Sequence, residues 1–120
     1  MDDRILELEK SLFKYEYMSN RKYLNDIIDD KYEEIGKSGK RITKNNVIEE
    51  LINFREDRNI TIYNYSCEEI CQNVWLIHYI TLNNKTKFYR TSIWKKSSDH
   101  IKIIFHQASE YKEEVNLIAS

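Results

Sequence analysis

The sequence predicts an α+β fold: N-terminal helices packed on a curved antiparallel sheet that closes into a cone. Three observations carry this. Apolar residues recur at three- and four-residue spacing up to about residue 54, then at every second position after residue 58. The two glycines of the chain, Gly36 and Gly39, fall in one turn between the helical segments. There is no proline, so nothing in the second half forces a strand to an edge or interrupts a ladder. At 120 residues the chain is expected to form one domain, 1–120, around a single core.

The elements follow in order. Ile5, Leu8, Leu12 and Tyr15 form one stripe of an amphipathic helix over 3–17, with Glu7, Glu9 and Lys10 mostly on other faces. Ser19 or Asn20 caps a second helix that buries Tyr23, Leu24, Ile27 and Ile28. A short strand over Tyr32 to Ile35 ends in Gly36-Lys37-Ser38-Gly39, where a backbone with positive φ is expected. Thr43 caps a third helix reaching about Phe54. Strands rich in Ile, Tyr, Thr and Trp are expected near 60–67, 73–82, 86–96 and 100–107, joined by short turns as an antiparallel meander. Helices before strands place the chain in the α+β class. The tail from Glu110 to Ser120 reads as frayed or loosely helical.

Register then assigns faces. A two-residue turn at Asn83-Asn84 sets Trp75 opposite Ser92, Ile77 opposite Arg90 and Tyr79 opposite Phe88. A turn at Ser98-Asp99 sets Trp94 opposite Ile103, Ser92 opposite Phe105 and Arg90 opposite Gln107. One face therefore collects Trp75, Tyr79, Phe88, Arg90, Trp94 and Gln107; the other collects His78, Tyr89, Ile93, Ile104 and His106. Both are largely apolar, although a one-sided sheet is polar on its outer face. The helices cover one side only, so a homodimer through the second face is expected.

Composition excludes several functions. A net charge of −1 provides no field for a polyanion, so no nucleic-acid partner is expected. Cys67 and Cys71 read as two reduced thiols, without the partner pair that a metal needs. No metal or cofactor site is expected. No segment is long and apolar enough for a signal peptide or a membrane span, which makes a cytoplasmic protein the expectation.

The stretches Leu6-Glu7-Leu8-Glu9, Asp29 to Gly39, Tyr89-Arg90-Thr91-Ser92-Ile93-Trp94 and Phe105-His106-Gln107 occur in an order that resembles the nuclear-transport-factor-2-like superfamily, which includes SnoaL-like cyclases. More narrowly they resemble a bacterial branch of unknown function, from which the chain departs at Ile101 and Ala108-Ser109. The resemblance covers the chain through Ser109 and implies a bent sheet around a pocket closed by the helices, with dimerisation through the outer sheet face. Related ketosteroid isomerases use a Tyr and two carboxylates in the cone. This chain offers Tyr15 or Tyr17 and Glu33 or Glu34, but no second acid on the inner face of the meander.

Arg90 is the sharpest candidate, because a guanidinium on an aromatic inner face needs a partner. Glu34 is the expected counter-ion, and a structural pair is favoured over a ligand contact. The ligand-binding set expected from sequence is Glu34, Trp75, Tyr79, Arg90, Trp94 and Gln107, with core filling an equal reading for the aromatics. His106 and His78 are expected at the dimer interface. No catalytic residue is assigned, for want of an acid–base pair. The leading reading is a non-enzymatic, dimeric cone domain holding a small apolar or amphipathic molecule. The alternatives are a small lyase, isomerase or hydrolase acting on a hydrophobic metabolite, and a protein-interaction module with a filled cone.

Overall fold

The computed structural model describes residues 4–36 and 38–120. Residue 3 of the expected first helix and Lys37 of the glycine turn lie outside them. Helices α1 (Arg4–Ser11), α2 (Tyr15–Met18) and α3 (Arg21–Ile27) lead into strand β1 (Ile28–Ile35). Strand β2 (Arg41–Thr43), helix α4 (Lys44–Ile52) and strands β3 (Tyr63–Cys71), β4 (Val74–Asn83), β5 (Thr86–Ser97) and β6 (His100–Tyr111) follow. The six strands form one sheet in the order β2-β1-β6-β5-β4-β3. All neighbours are antiparallel except β1 and β6, which run parallel.

The caps are where the sequence places them. The Asn20 side chain accepts from the Tyr23 N–H at 3.0 Å, and Thr43 precedes α4 with its N–H and hydroxyl both directed at Asn46 Oδ1. Gly39 holds φ of +80° and its N–H closes the turn on the Gly36 carbonyl at 2.9 Å.

Four expectations about the helices and the register need correction. The first helix stops at Ser11 and restarts at Tyr15, so its buried face is Ile5, Leu6 and Glu9 while Tyr15 is exposed. Ile28 belongs to β1, which is longer than expected and pairs with β6. The β4–β5 turn is Asn84-Lys85, with positive φ at Asn84, so Asn83 pairs with Thr86 and Tyr79 with Arg90. That offset is two residues, and because side chains alternate with period two it leaves every face unchanged.

The fourth correction moves residues between faces. Trp94 pairs with Ile103 as expected, but Ile93 pairs with Phe105, leaving Ile104 as the extra residue of a β-bulge. One added residue inverts the alternation beyond it. His106 and Ala108 therefore enter the cone, where both are buried, and Phe105 and Gln107 move outside. His106 is not on the outer face, and Gln107 is not on the inner one.

The core joins Ile5, Leu6, Met18, Leu24 and Leu51 from the helical half to Trp75, Ile77 and Trp94 of the sheet. The outer face carries Val74, Leu76, His78, Tyr89, Ile93 and Phe105, all half-buried in the single chain. The tail is extended rather than helical. Asn64 clamps it, accepting from the Ile118 N–H at 2.8 Å and donating to the Asn116 carbonyl at 3.0 Å, while the Ser120 N–H meets the Ile62 carbonyl at 3.0 Å. No helix among the described residues is long and apolar enough to cross a membrane.

Candidate functional site in the cone

The inner face of the meander presents three buried donors, Tyr79, Ser92 and Trp94, to the first helix. Glu9 lies three residues after Leu6 and four after Ile5, so helical spacing carries it to the same buried side. It is 1% exposed. Its Oε1 accepts from Trp94 Nε1 at 2.9 Å, and its Oε2 accepts from Ser92 Oγ at 2.8 Å and from the Tyr79 hydroxyl. Burial raises the Glu9 pKa above the usual carboxylate range, while the three hydrogen bonds and the Arg90 charge act against that rise. Three donors converging on two oxygens describe the acceptor of a carboxylate.

From Ser92 the polar chain continues outward. His106 Nδ1 lies 2.7 Å from Ser92 Oγ, His106 Nε2 lies 3.3 Å from Arg90 Nη1, and Arg90 Nε donates to Thr81 Oγ1 at 2.8 Å. A guanidinium only donates, so His106 Nε2 is an acceptor and the proton sits on Nδ1. The directions then run one way: Arg90 to His106, His106 to Ser92, Ser92 to Glu9. Burial and the charges of Arg90 and Arg58 push the His106 pKa down to about 3, consistent with this neutral tautomer. The trio is not a nucleophilic triad. Ser92 is 0% exposed, and it sits between the acid and the histidine rather than at the end of a relay.

Above this chain the cone is hollow. An inner chamber of about 60 Å³ is bounded by Glu9, Tyr32, Leu51, Ile103 and His106 among others. An outer chamber of about 620 Å³ opens between Phe54, Ile60, Leu82 and Phe88 on its apolar side and Asn59 and Asn83 on its polar side. Four residues line both: Glu34, Glu50, Arg58 and Arg90. They form a charged collar between mouth and floor. No ion pair joins any two of them among the described residues.

Tethers explain why the collar stays open. The Arg58 guanidinium lies 5.0 Å from the ring centres of both Phe13 and Phe54, and its backbone N–H is bonded to the Phe13 carbonyl at 2.9 Å. Arg90 is held by Thr81 and His106. Glu34 accepts from the Tyr32 hydroxyl at 2.6 Å. Burial raises the Glu34 pKa, with Glu50 adding to the rise and Tyr32, Arg90 and Arg58 opposing it. The Arg58 pKa is lowered by burial and by the Arg90 charge. A larger groove of about 800 Å³ lies outside the cone beside Leu8, Tyr23, Ile27 and Ile101, but every charged residue on it is solvent-exposed.

Solved structures share this architecture. An NTF2-like protein from Cytophaga hutchinsonii superposes with a TM-score of 0.70 at 16% identity, covering 92% of this chain and 100% of its own. The chain has the nuclear-transport-factor-2-like fold. An NTF2-like protein of unknown function from Prochlorococcus gives a TM-score of 0.69 at 15% identity, covering 95% of this chain and 97% of its own. A protein with a cystatin-like fold from Caulobacter vibrioides gives 0.70 at 9% identity, over 92% of this chain and 89% of its own. No family model matches this sequence, and neither does any curated protein.

Within this nuclear-transport-factor-2-like cone, the residues picked out from sequence separate into three groups. Glu34 and Arg90 face the cavity together but form no ion pair, so the expected Glu34–Arg90 bridge is replaced by two separate tethers. Trp75, Tyr79 and Trp94 fill the core; of the expected aromatic wall Phe88 lines the cavity, joined by Phe54 and Leu82. Gln107 points away from the cavity. Glu9, Glu50, Arg58 and His106 are the site residues that sequence reading missed. A signal for Glu9 existed: three buried donors on one sheet face require an acceptor, and Glu9 shares the face of Ile5 and Leu6.

Proposed function

We propose that this protein is a binding domain rather than an enzyme: a homodimer whose cone holds a small amphipathic molecule by an anionic end group set between Arg58 and Arg90. The observation that carries this reading is the collar. Two guanidiniums line both chambers with no ion-pair partner among the described residues, below a mouth of about 620 Å³ where Phe54, Ile60 and Phe88 alternate with Asn59 and Asn83. A carboxylate there gains charge-assisted bonds from donors whose orientation is already fixed. The size of the outer chamber favours an open cone over a filled one.

The dimer reading rests on the outer face. Leu76, Tyr89, Ile93 and Phe105 form a continuous half-buried surface on the side that the helices leave bare. His78 and Tyr89 lie on it with ring centres 5.4 Å apart. With Phe105 in place of His106, it is the surface that the sequence assigns to a second copy.

One observation favours a second reading, an enzyme that moves a proton with Glu34. This carboxyl faces the cavity and its pKa is raised by burial. The binding reading is preferred because Glu9 and His106 have their polar atoms engaged by neighbours, and Glu50, the other carboxyl of the collar, is exposed to solvent.

Titration calorimetry with octanoate at neutral pH tests the proposal. The expected result is one site per chain, weakened about tenfold to a hundredfold in Arg90→Met and in Arg58→Met, the loss that follows from removing one charge-assisted bond. No heat of binding in the wild type, or wild-type affinity retained in both variants, overturns it.

A further inference from the structure

We infer that the natural ligand is a zwitterion with an apolar tail: a molecule with a carboxylate and an ammonium on neighbouring atoms, of the amino-acid class. This rests on the reading of the cone as an anion-binding cavity and adds the identity of the second charge. Four charged side chains are common to the inner and outer chambers, two of each sign: Arg58 and Arg90, Glu34 and Glu50. Opposite charges sharing a half-buried cavity ordinarily close on one another. Here Arg58 is fixed between two aromatic rings, Arg90 between Thr81 and His106, and Glu34 on the Tyr32 hydroxyl, and none of them reaches a partner of opposite sign among the described residues.

A simple anion answers the guanidiniums and leaves Glu34 and Glu50 facing added negative charge. A simple cation has the converse fault. A head group carrying both charges satisfies the whole collar without moving any tether, because each of its charges meets residues of opposite sign. The small inner chamber leaves room for a compact head group and little more. The tail then lies outward, against Phe54, Ile60, Leu82 and Phe88.

Three compounds with the same phenyl tail separate the possibilities: L-phenylalanine, phenylpropanoate and phenethylamine, each titrated calorimetrically into the full chain at neutral pH. L-phenylalanine is expected to bind more tightly than phenylpropanoate by about tenfold or more, the worth of one additional charge-assisted bond. Glu34→Gln and, separately, the solvent-exposed Glu50→Gln are each expected to shrink that preference while leaving phenylpropanoate affinity unchanged or improved. Phenylpropanoate binding as tightly as L-phenylalanine, or more so, overturns the zwitterion and leaves the anion cavity standing. The same holds if octanoate binds and L-phenylalanine does not. Failure of all three together with octanoate overturns both readings.

Discussion

Glu9 organises the cone at the level of single side chains. Replacing it with Leu leaves the Tyr79 hydroxyl, Ser92 hydroxyl and Trp94 indole N–H facing an apolar group inside the core. At about 1–3 kcal/mol for each buried donor left unmet, partly relieved by relaxation, the expected loss is about 3–5 kcal/mol by urea denaturation. A loss below about 1 kcal/mol would mean that these donors reach water. His106 gives the second test, through pH. Unfolded, it takes a proton near 6.5; folded, only near about 3. Between those values the unfolded chain holds the extra proton, so acidification favours unfolding, by about 1.4 kcal/mol per pH unit from this group. Glu9 acts oppositely: its folded pKa is raised, so its contribution is present at low pH and is lost as pH rises through that value. Comparison with His106→Gln isolates the histidine. On acidification from pH 6.5 the wild type should lose stability faster than the variant, and parallel curves would show that His106 titrates normally.

Between residue and molecule, two local devices decide what the cone contains. The bulge at Ile104 turns His106 inward. Without that extra residue, the regular ladder would put Phe105 and Gln107 in the cavity and His106 on the surface. The clamp at Asn64 holds the tail through side-chain bonds to residues 116 and 118. In Asn64→Ala, hydrogen exchange of the Ile118 and Ser120 amides should accelerate at least about tenfold while that of Ile77 in the core stays unchanged. Unchanged protection at Ile118 would show that the tail is held by something else.

These elements also show what the sequence could reveal. Period and caps made the helices, the meander and the turn at Ser98 legible, and a two-residue error at Asn84 did no harm because it preserved the faces. The bulge was not legible, since Ile104 sits among apolar neighbours and nothing in Ile101 to Phe105 marks which residue is unpaired. Everything beyond it, His106 and Gln107 included, therefore lies on the opposite side from the one that regular alternation predicts. Arg58 was missed for another reason. It lies between α4 and β3, outside any periodic segment, and only the tertiary approach of Phe13 and Phe54 makes it part of the cone. The parallel pairing of β1 with β6 is non-local in the same way.

At the scale of the whole molecule, the cone and the outer face make separate demands. The cone holds its collar charges apart; the outer face leaves Leu76, Tyr89, Ile93 and Phe105 half-buried, and it is there that the proposed second copy would sit. Ile93→Lys places a charge in the middle of that face without touching the cavity, and is expected to shift sedimentation from dimer to monomer while preserving octanoate binding. A variant that stays dimeric would put the interface elsewhere. The most direct test of the central claim is native mass spectrometry of gently purified protein, with and without added octanoate, reading assembly mass and retained ligand in one spectrum. The account predicts a dimer that carries up to one small molecule per chain, with the adduct lost in Arg90→Met. A monomer, or a dimer that takes up no ligand even when octanoate is supplied, would contradict it.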